Sequence, residues 1–450
     1  MGNHNRRRLL VVEDLLKVFS YRPRLQQIFP QIRGRNGPVI IGFNNFVSGW
    51  WNLFIQAGIA AGIPLSKDFN SADGNIIGIG RWVFLKFAPS DFWLQNLSDL
   101  HLRQVSASLF GTAYLTPDVL KRPNVTVAIN STASRVLFNT TGQTPVVVGV
   151  EFAARPEGPF YHVKADKEVV VCAGTVQSPA VLMLSGVVPA AHLKEKGIAV
   201  VKDIPGVGSN LLDHPIVQTY FKHNNTVMRA AHLFPNIIFH VFQLIGSLIQ
   251  HLILGTGGAL ASNLAAAFVR TDDPVLFAPS EYPEKLLDST SAKDAPDLEL
   301  FITPFAFSDH GRAFFDIPAL SLHCYLVRPT SKGTITLKSS DPFDHPKIDP
   351  KYVCHLISLS SFHPFSRFNY LQTKEDLDKL VRGFRLACKI AHAEPLNSLF
   401  EHTFDRSDFD HFAHLKTDAE IQKIIRDRVE TVYHPNVDLS DGSVKRWRRC

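Results

Sequence analysis

The sequence predicts a mixed chain, partly α/β and partly α+β, in which an antiparallel sheet accompanies a strand–helix unit. Three observations predict it. Val169–Cys172 is a continuous apolar run, the pattern of a strand covered on both faces, and a turn at Ala173-Gly174 leads from it into a helix-forming stretch. Upstream, from Pro123 on, three short stretches of strand composition follow one another with turn residues between them. Downstream, residues 373–391 carry apolar side chains at helical spacing. With 450 residues the chain can bury a core large enough for two domains or one elaborated one.

Taken in order, the short strands are expected within residues 124–138, 145–154 and 160–174, and Gly142, Pro145, Pro156, Gly158 and Asp166 supply the turns. The apolar run at 169–172 closes the third stretch. Ala173 and Gly174, with almost no side chain, let the backbone approach something closely. Ser178 reads as the N-cap of the next helix, Pro179 as its first residue and Gly186 as its end. This local pattern fits any α/β protein. Ile204–Pro215, IPGVGSNLLDHP, holds a Gly-x-Gly, but no Lys-Ser/Thr follows, so a phosphate loop is a poor reading. Ile237–Leu254 has the length of a short spanning helix, yet His240, Gln243, Gln250 and His251 interrupt it, and polar groups in a bilayer are costly. It reads as a buried helix begun after Pro235-Asn236 and stopped at Gly255, so no membrane span is expected. In residues 373–391, Thr373 and Asp376 form a cap, and Leu377, Leu380, Val381, Phe384 and Cys388 make the buried stripe.

Composition excludes several classes. Hydrophobic residues make up 45% and charged residues 20%, an ordinary globular balance. The net charge of +6 has its source at the ends, in Arg6, Arg7 and Arg8 and in Lys445, Arg446, Arg448 and Arg449. No aromatic-interleaved basic motif accompanies them, so they read as solvated tails and no nucleic-acid partner is expected. Cys172, Cys324, Cys354, Cys388 and Cys450 are widely spaced with no Cys-x-x-Cys, so neither a zinc site nor a disulfide framework is implied. The N-terminus lacks the apolar stretch of a secretory signal. Asn-x-Ser/Thr sequons at Asn96, Asn124, Asn130, Asn139 and Asn224 fit a secreted ancestor. Nothing in the sequence fixes the oligomeric state.

Several segments, in order, resemble one family. Glu168–Gly186, EVVVCAGTVQSPAVLMLSG, resembles a signature of the glucose–methanol–choline (GMC) oxidoreductases, and Ile204–Pro215 is similar to that family's second hallmark. Gly34–Val39, GRNGPV, resembles a His-Gly-x-x-Gly-Pro segment, with Arg33 at the histidine position. Pro329–Leu337 and Asp341–Tyr352 look like the strand pair opening the C-terminal region, and Thr431–Pro435, TVYHP, resembles the segment that carries the catalytic base. The likeness runs from about Arg33 to Pro435, most of the chain.

The resemblance implies an incomplete GMC fold. A partial FAD-binding domain is expected over residues 1–218, and a substrate-binding domain with an antiparallel sheet over 219–450. It implies FAD as cofactor and a small-molecule alcohol as substrate, aryl-alcohol oxidase or dehydrogenase being the nearest type. A base removes the hydroxyl proton while hydride passes to the flavin; His434 falls at the position of that base. Ala133, Ala173, Gly174, Asn210 and His214 fall at cofactor-binding positions.

The departures from the pattern are equally specific. The chain has no Gly-x-Gly-x-x-Gly, the turn that seats a pyrophosphate on a helix N-terminus. The second catalytic His or Asn that the resemblance implies has no counterpart after His434, so truncation at both ends is expected. After Tyr352, the Ser-, Phe-, Leu- and His-rich stretch 353–372 has no helix or strand period. It reads as a retained intron, the alternative being an unusually long surface loop. Three functions stay open: an FAD-dependent alcohol oxidoreductase, an inactive remnant or mispredicted product of that family, and a non-redox binding protein that keeps the substrate pocket.

Overall fold

The computed structural model describes residues 41–42, 49–69, 76–81, 84–85, 114–187, 189–224, 265–315, 317–349, 371, 373–404 and 406–437. The Gly34–Val39 segment, the Ile237–Leu254 helix, the sequon at Asn96, Cys354, Cys450 and all of the 353–372 stretch except Leu371 lie outside them. No helix among the described residues is long and apolar enough to cross a membrane.

Secondary structure is mixed and the sheets are antiparallel. The chain forms two compact units that interleave. One comprises residues 1–122, 216–328 and 377–429, the other residues 123–215, 329–376 and 430–450. The sequence reading divides the chain once, at 218. In the structure the chain leaves and re-enters each unit, because the ladder partner of a strand need not be its neighbour in sequence.

In the first unit five strands lie side by side in the order Pro215–Lys222, Ala319–Leu326, Leu298–Thr303, Ala265–Val269 and Gly78–Arg81, every pair antiparallel. Alternation splits their side chains into two unlike faces. Leu298, Leu300 and Ile302 share one face with Leu322, Cys324 and Leu326, all buried. Helix Lys374–Ala391 meets that face at Gly383, and its stripe residues Leu380, Phe384 and Cys388 are buried, as the apolar pattern predicts. Thr373 caps it, its hydroxyl accepting the Asp376 N–H at 3.2 Å. Contact is closest at Gly383, where a Cβ would stand 2.2 Å from Cys324 Sγ. Further along, Lys379 is fully buried against Asp297 at 3.6 Å, and the Arg382 guanidinium donates to the carbonyls of Thr271 and Glu284.

The opposite face is buried but polar, with Glu299, Thr303, Ser321, His323 and Tyr325. Burial pushes the Glu299 carboxyl well above the usual carboxylate range, and Tyr325 donates to it. His323 lies flat against Phe301, the ring centroids 4.5 Å apart, and burial lowers its pKa to about 3. The Thr303 hydroxyl donates to Phe305 O at 2.8 Å, so the 2.9 Å contact of Thr303 with His323 Nε2 makes that nitrogen the donor. In the same unit burial lowers His411 to about 4 while its Nε2 accepts the Lys222 N–H.

These groups make stability depend on pH. The two histidines stay neutral where an unfolded chain takes up protons. Their contribution is complete above pH ~6.5 and is lost as pH falls toward 4 for His411 and toward 3 for His323. Glu299 acts in the opposite sense: its contribution is present below the ordinary carboxylate range and lost as pH rises above it. Between pH 7 and 5 the loss of unfolding free energy in His411→Asn should be smaller than in the parent chain by roughly 2 kcal/mol, as read by urea titration. An identical loss in the two proteins would contradict a buried neutral His411.

Candidate active site

The second unit is built on a three-stranded antiparallel meander of Thr132–Asn139, Val146–Ala153 and Tyr161–Lys164, as the alternating sequence predicts. Helix Gly174–Leu184 follows. Its C-terminus is tied to the meander by Ser185, whose hydroxyl accepts the Val136 N–H at 2.8 Å and donates to Val181 O. Ala180 and Met183 on the helix, with Leu193, Ile204, Val207 and Leu337, make the core of this unit.

Three local expectations meet the structure differently. The helix ends as predicted: Gly186 takes φ +85°, its N–H reaches Met183 O, and the Val187 N–H reaches Leu182 O, a Schellman stop. The helix start is a correction. Ser178 does not cap it and Pro179 is not its first residue; Gly174, at φ +76°, turns the chain into the helix four residues earlier. Ser178 is buried inside, and Pro179, the sixth of the eleven helix residues, has no N–H to give the Thr175 carbonyl. Val169–Cys172 is a second correction, since it forms no strand. A strand needs a neighbour to complete its ladder, and none of the described strands runs beside it, so Val170 is left 70% exposed.

The Gly-x-Gly of the second hallmark is a packing device. Gly208 has φ +78°, and a Cβ there would lie 2.3 Å from Met183 Cε and 2.4 Å from Ile335 O. Only glycine lets the hallmark lie against the helix and strand Thr334–Thr336, which pairs with Lys347–Asp349 as expected. Beyond it, Leu211–Leu212 pairs with Asn436–Val437, placing Asp213-His214 beside the loop Thr431–Pro435.

That loop is held at nearly every residue. The Val432 N–H donates to His214 O at 3.2 Å. Asp213 Oδ1 accepts the N–H of His214 at 2.8 Å and of His434 at 3.1 Å, and the Thr431 hydroxyl donates to Oδ2. Thr431 Oγ1 in turn accepts the Tyr433 N–H at 2.7 Å. Thr175, in the first turn of the signature helix, donates its hydroxyl to Pro435 O at 2.8 Å. Tyr433 adopts φ +62°, a left-handed conformation that a bulky residue holds only when its surroundings enforce it.

The sequence-predicted residues distribute as follows. His434 is exposed and His214 half-buried, their rings nearly perpendicular with centroids 6.1 Å apart. Gly174 and Ala173 are exposed at the helix start next to Thr175, and among the described residues no atom beyond its own chain neighbours and helix backbone lies within 4 Å of where a Cβ on Gly174 would be. Asn210 precedes the Leu211–Leu212 strand, and its Oδ1 accepts from Lys332 Nζ at 3.1 Å. Ala133 belongs instead to the meander, exposed and paired with Phe152 next to a bulge. Sequence reasoning missed Asp213, Thr431 and Thr175. Asp213 stands next to a residue that was chosen, but its partners in the loop are 218 and 221 positions away, and no local pattern signals such a contact.

Behind the loop is a cavity of about 290 Å³ with apolar walls that include Val176, Leu211, Ile348, Tyr433 and Pro435. Asp376 borders it fully buried, its carboxylate accepting the N–H and hydroxyl of both Thr330 and Ser331 at 2.6–2.9 Å.

Comparison with known proteins gives this arrangement its class. The N-terminal domain of the GMC oxidoreductases matches residues 106–216 and the C-terminal domain residues 357–436. The chain belongs to the GMC oxidoreductase family. It is 30% identical over 362 residues to dehydrogenase str4 of Strobilurus tenacellus, covering 79% of this chain and 52% of that protein. It is 28% identical over 440 residues to the oxygen-dependent choline dehydrogenase of Brucella ovis, covering 96% of this chain and 65% of that one. The fold matches a fungal aryl-alcohol oxidase structure with a TM-score of 0.64 at 20% identity, over 94% of this chain and 66% of that one. The chain thus spans between half and two thirds of the length of these curated relatives.

Proposed function

We propose that the chain is an FAD-dependent oxidoreductase acting on the CH–OH group of a small alcohol, with His434 as the base. The observation that carries this reading is the convergence of three segments far apart in sequence on one loop. Thr175 holds Pro435, Asp213 holds His434, and His214 stands edge-on to the His434 ring. The exposed imidazole of His434 can take a hydroxyl proton, the general-base task that histidine performs most often. FAD, when bound, would accept the hydride from the carbon that bears that hydroxyl. Dehydrogenases and oxidases among the relatives support an alcohol as substrate.

The residues present fit one wall of a dinucleotide site. Gly174 opens on empty space, and the first N–H groups of its helix have no side-chain cap, so a flat or anionic group can approach the backbone there. In this reading the unit built on the meander faces the flavin through Ala173 and Gly174, with Asn210 and His214 beyond, and Ala133 faces the adenine.

A second reading has its own support. The chain lacks the glycine-rich turn for the pyrophosphate, and Val170 is exposed where the resemblance expects a covered strand. On that basis the polypeptide is a family member that holds no flavin by itself, inactive or a plain binder of the alcohol. The absorbance spectrum of the purified chain after incubation with FAD separates the two. About one flavin per chain, bleached by an aryl or aliphatic alcohol without oxygen, supports the enzyme. Protein free of flavin supports the second reading, and ligand-induced thermal stabilisation then marks a binder.

A further inference from the structure

We infer that Asp213 is the positioning residue of this site: by binding the backbone of the Thr431–His434 loop it fixes where the His434 imidazole stands. Its role as an aid to catalysis rests on His434 being the base; its hold on the loop does not. One carboxylate takes the N–H groups of His214 and His434 on Oδ1 and the Thr431 hydroxyl on Oδ2. Both histidines are thereby referred to a single group, which explains how residues 220 positions apart keep a perpendicular ring pair. Through Thr431, whose Oγ1 accepts the Tyr433 N–H, the same carboxylate also stabilises the left-handed Tyr433, the residue immediately before the imidazole. Without Asp213 two backbone donors lose their acceptor, and Tyr433 can relax to an ordinary conformation that would carry His434 with it. Charge-assisted hydrogen bonds to backbone N–H groups are among the stronger ones available for such a task. Asp213 touches no reacting atom in this scheme, so it is distinct from the base itself.

The test uses Asp213→Ala, Asp213→Asn and Thr431→Val in the full chain, with amide hydrogen exchange read residue by residue. In Asp213→Ala the His434 and His214 amides are expected to exchange at least ~10-fold faster, while those of helix Lys374–Ala391 keep their protection. Asp213→Asn, which retains an oxygen for both N–H groups, should stay within about 3-fold of the parent, a rescue that mere loss of packing would not give. Thr431→Val should speed the Tyr433 amide. If Asp213→Ala unfolds, with the helix amides lost as well, the asparagine and valine variants decide. In the flavin-loaded chain Asp213→Ala should lower kcat by roughly 10²-fold with KM within about 3-fold, since misplacing a base affects chemistry more than binding. Unchanged exchange at His434 in Asp213→Ala overturns the inference, and a kcat equal to that of the parent despite faster exchange overturns its part in catalysis. Should the parent chain oxidise no alcohol, the functional reading fails, and the exchange measurement still decides whether Asp213 holds the loop.

Discussion

Replacement of His434 by asparagine is expected to lower alcohol-dependent flavin reduction by about 10²–10⁴-fold, the usual contribution of a positioned general base. The side chain is exposed, with its ring edge-on to that of His214, and its backbone N–H donates to Asp213. Removing the imidazole therefore leaves the loop held by the same hydrogen bonds, and unfolding free energy should change by less than about 0.5 kcal/mol. KM should move little, because the substrate keeps its other contacts. The contrast between large kinetic and small thermodynamic effects is the diagnostic feature. It is checked by stopped-flow flavin reduction alongside urea titration of the same preparations. A variant that reduces flavin at the parental rate removes His434 from the chemistry, and the base must then be sought elsewhere.

Asp376→Ala should give the largest loss of stability, about 3–5 kcal/mol. The carboxylate is fully buried and accepts four hydrogen bonds, two from backbone N–H groups and two from hydroxyls, of Thr330 and Ser331. The hydroxyls can turn to other partners, but the two N–H groups cannot. Each N–H orphaned away from water costs roughly 1–3 kcal/mol, and the bonds lost are of the charge-assisted kind. The same side chain stands in the first turn of helix Lys374–Ala391, where a negative charge is favourable. Asp376→Asn should cost less than alanine yet more than a surface change, because its amide sets a donor against a donor on one side. Guanidinium titration of the three proteins gives the order parent, asparagine, alanine. If alanine falls within 1 kcal/mol of the parent, the buried carboxylate contributes little.

Legibility in the sequence followed the range of the interaction. The meander strands could be read because each alternates over its own few residues, and turn residues separate them. The Lys374–Ala391 stripe and its Thr373 cap were likewise local, as was the Gly186 stop. The helix start at Gly174 was misread because Ser178-Pro179 is the stronger local signal. A glycine in the left-handed conformation had already turned the chain before it. Val169–Cys172 has the composition of a strand, but composition supplies no ladder partner. His434 and His214 were found through family resemblance, whereas the carboxylate between them left no mark in either motif.

The sequence by itself determined the family and the two hallmark segments, and it supplied the two histidines proposed for the site, since these depend on residue type and short spacing. Only the tertiary structure decided that Asp213, Thr431 and Thr175 join them, that Gly208 serves packing, and that the two compact units interleave. The physical reason is that hydrogen bonds and close backbone contacts depend on distance in space. Residues 260 positions apart, such as Thr175 and Pro435, meet only after strands and helices have brought their backbones together.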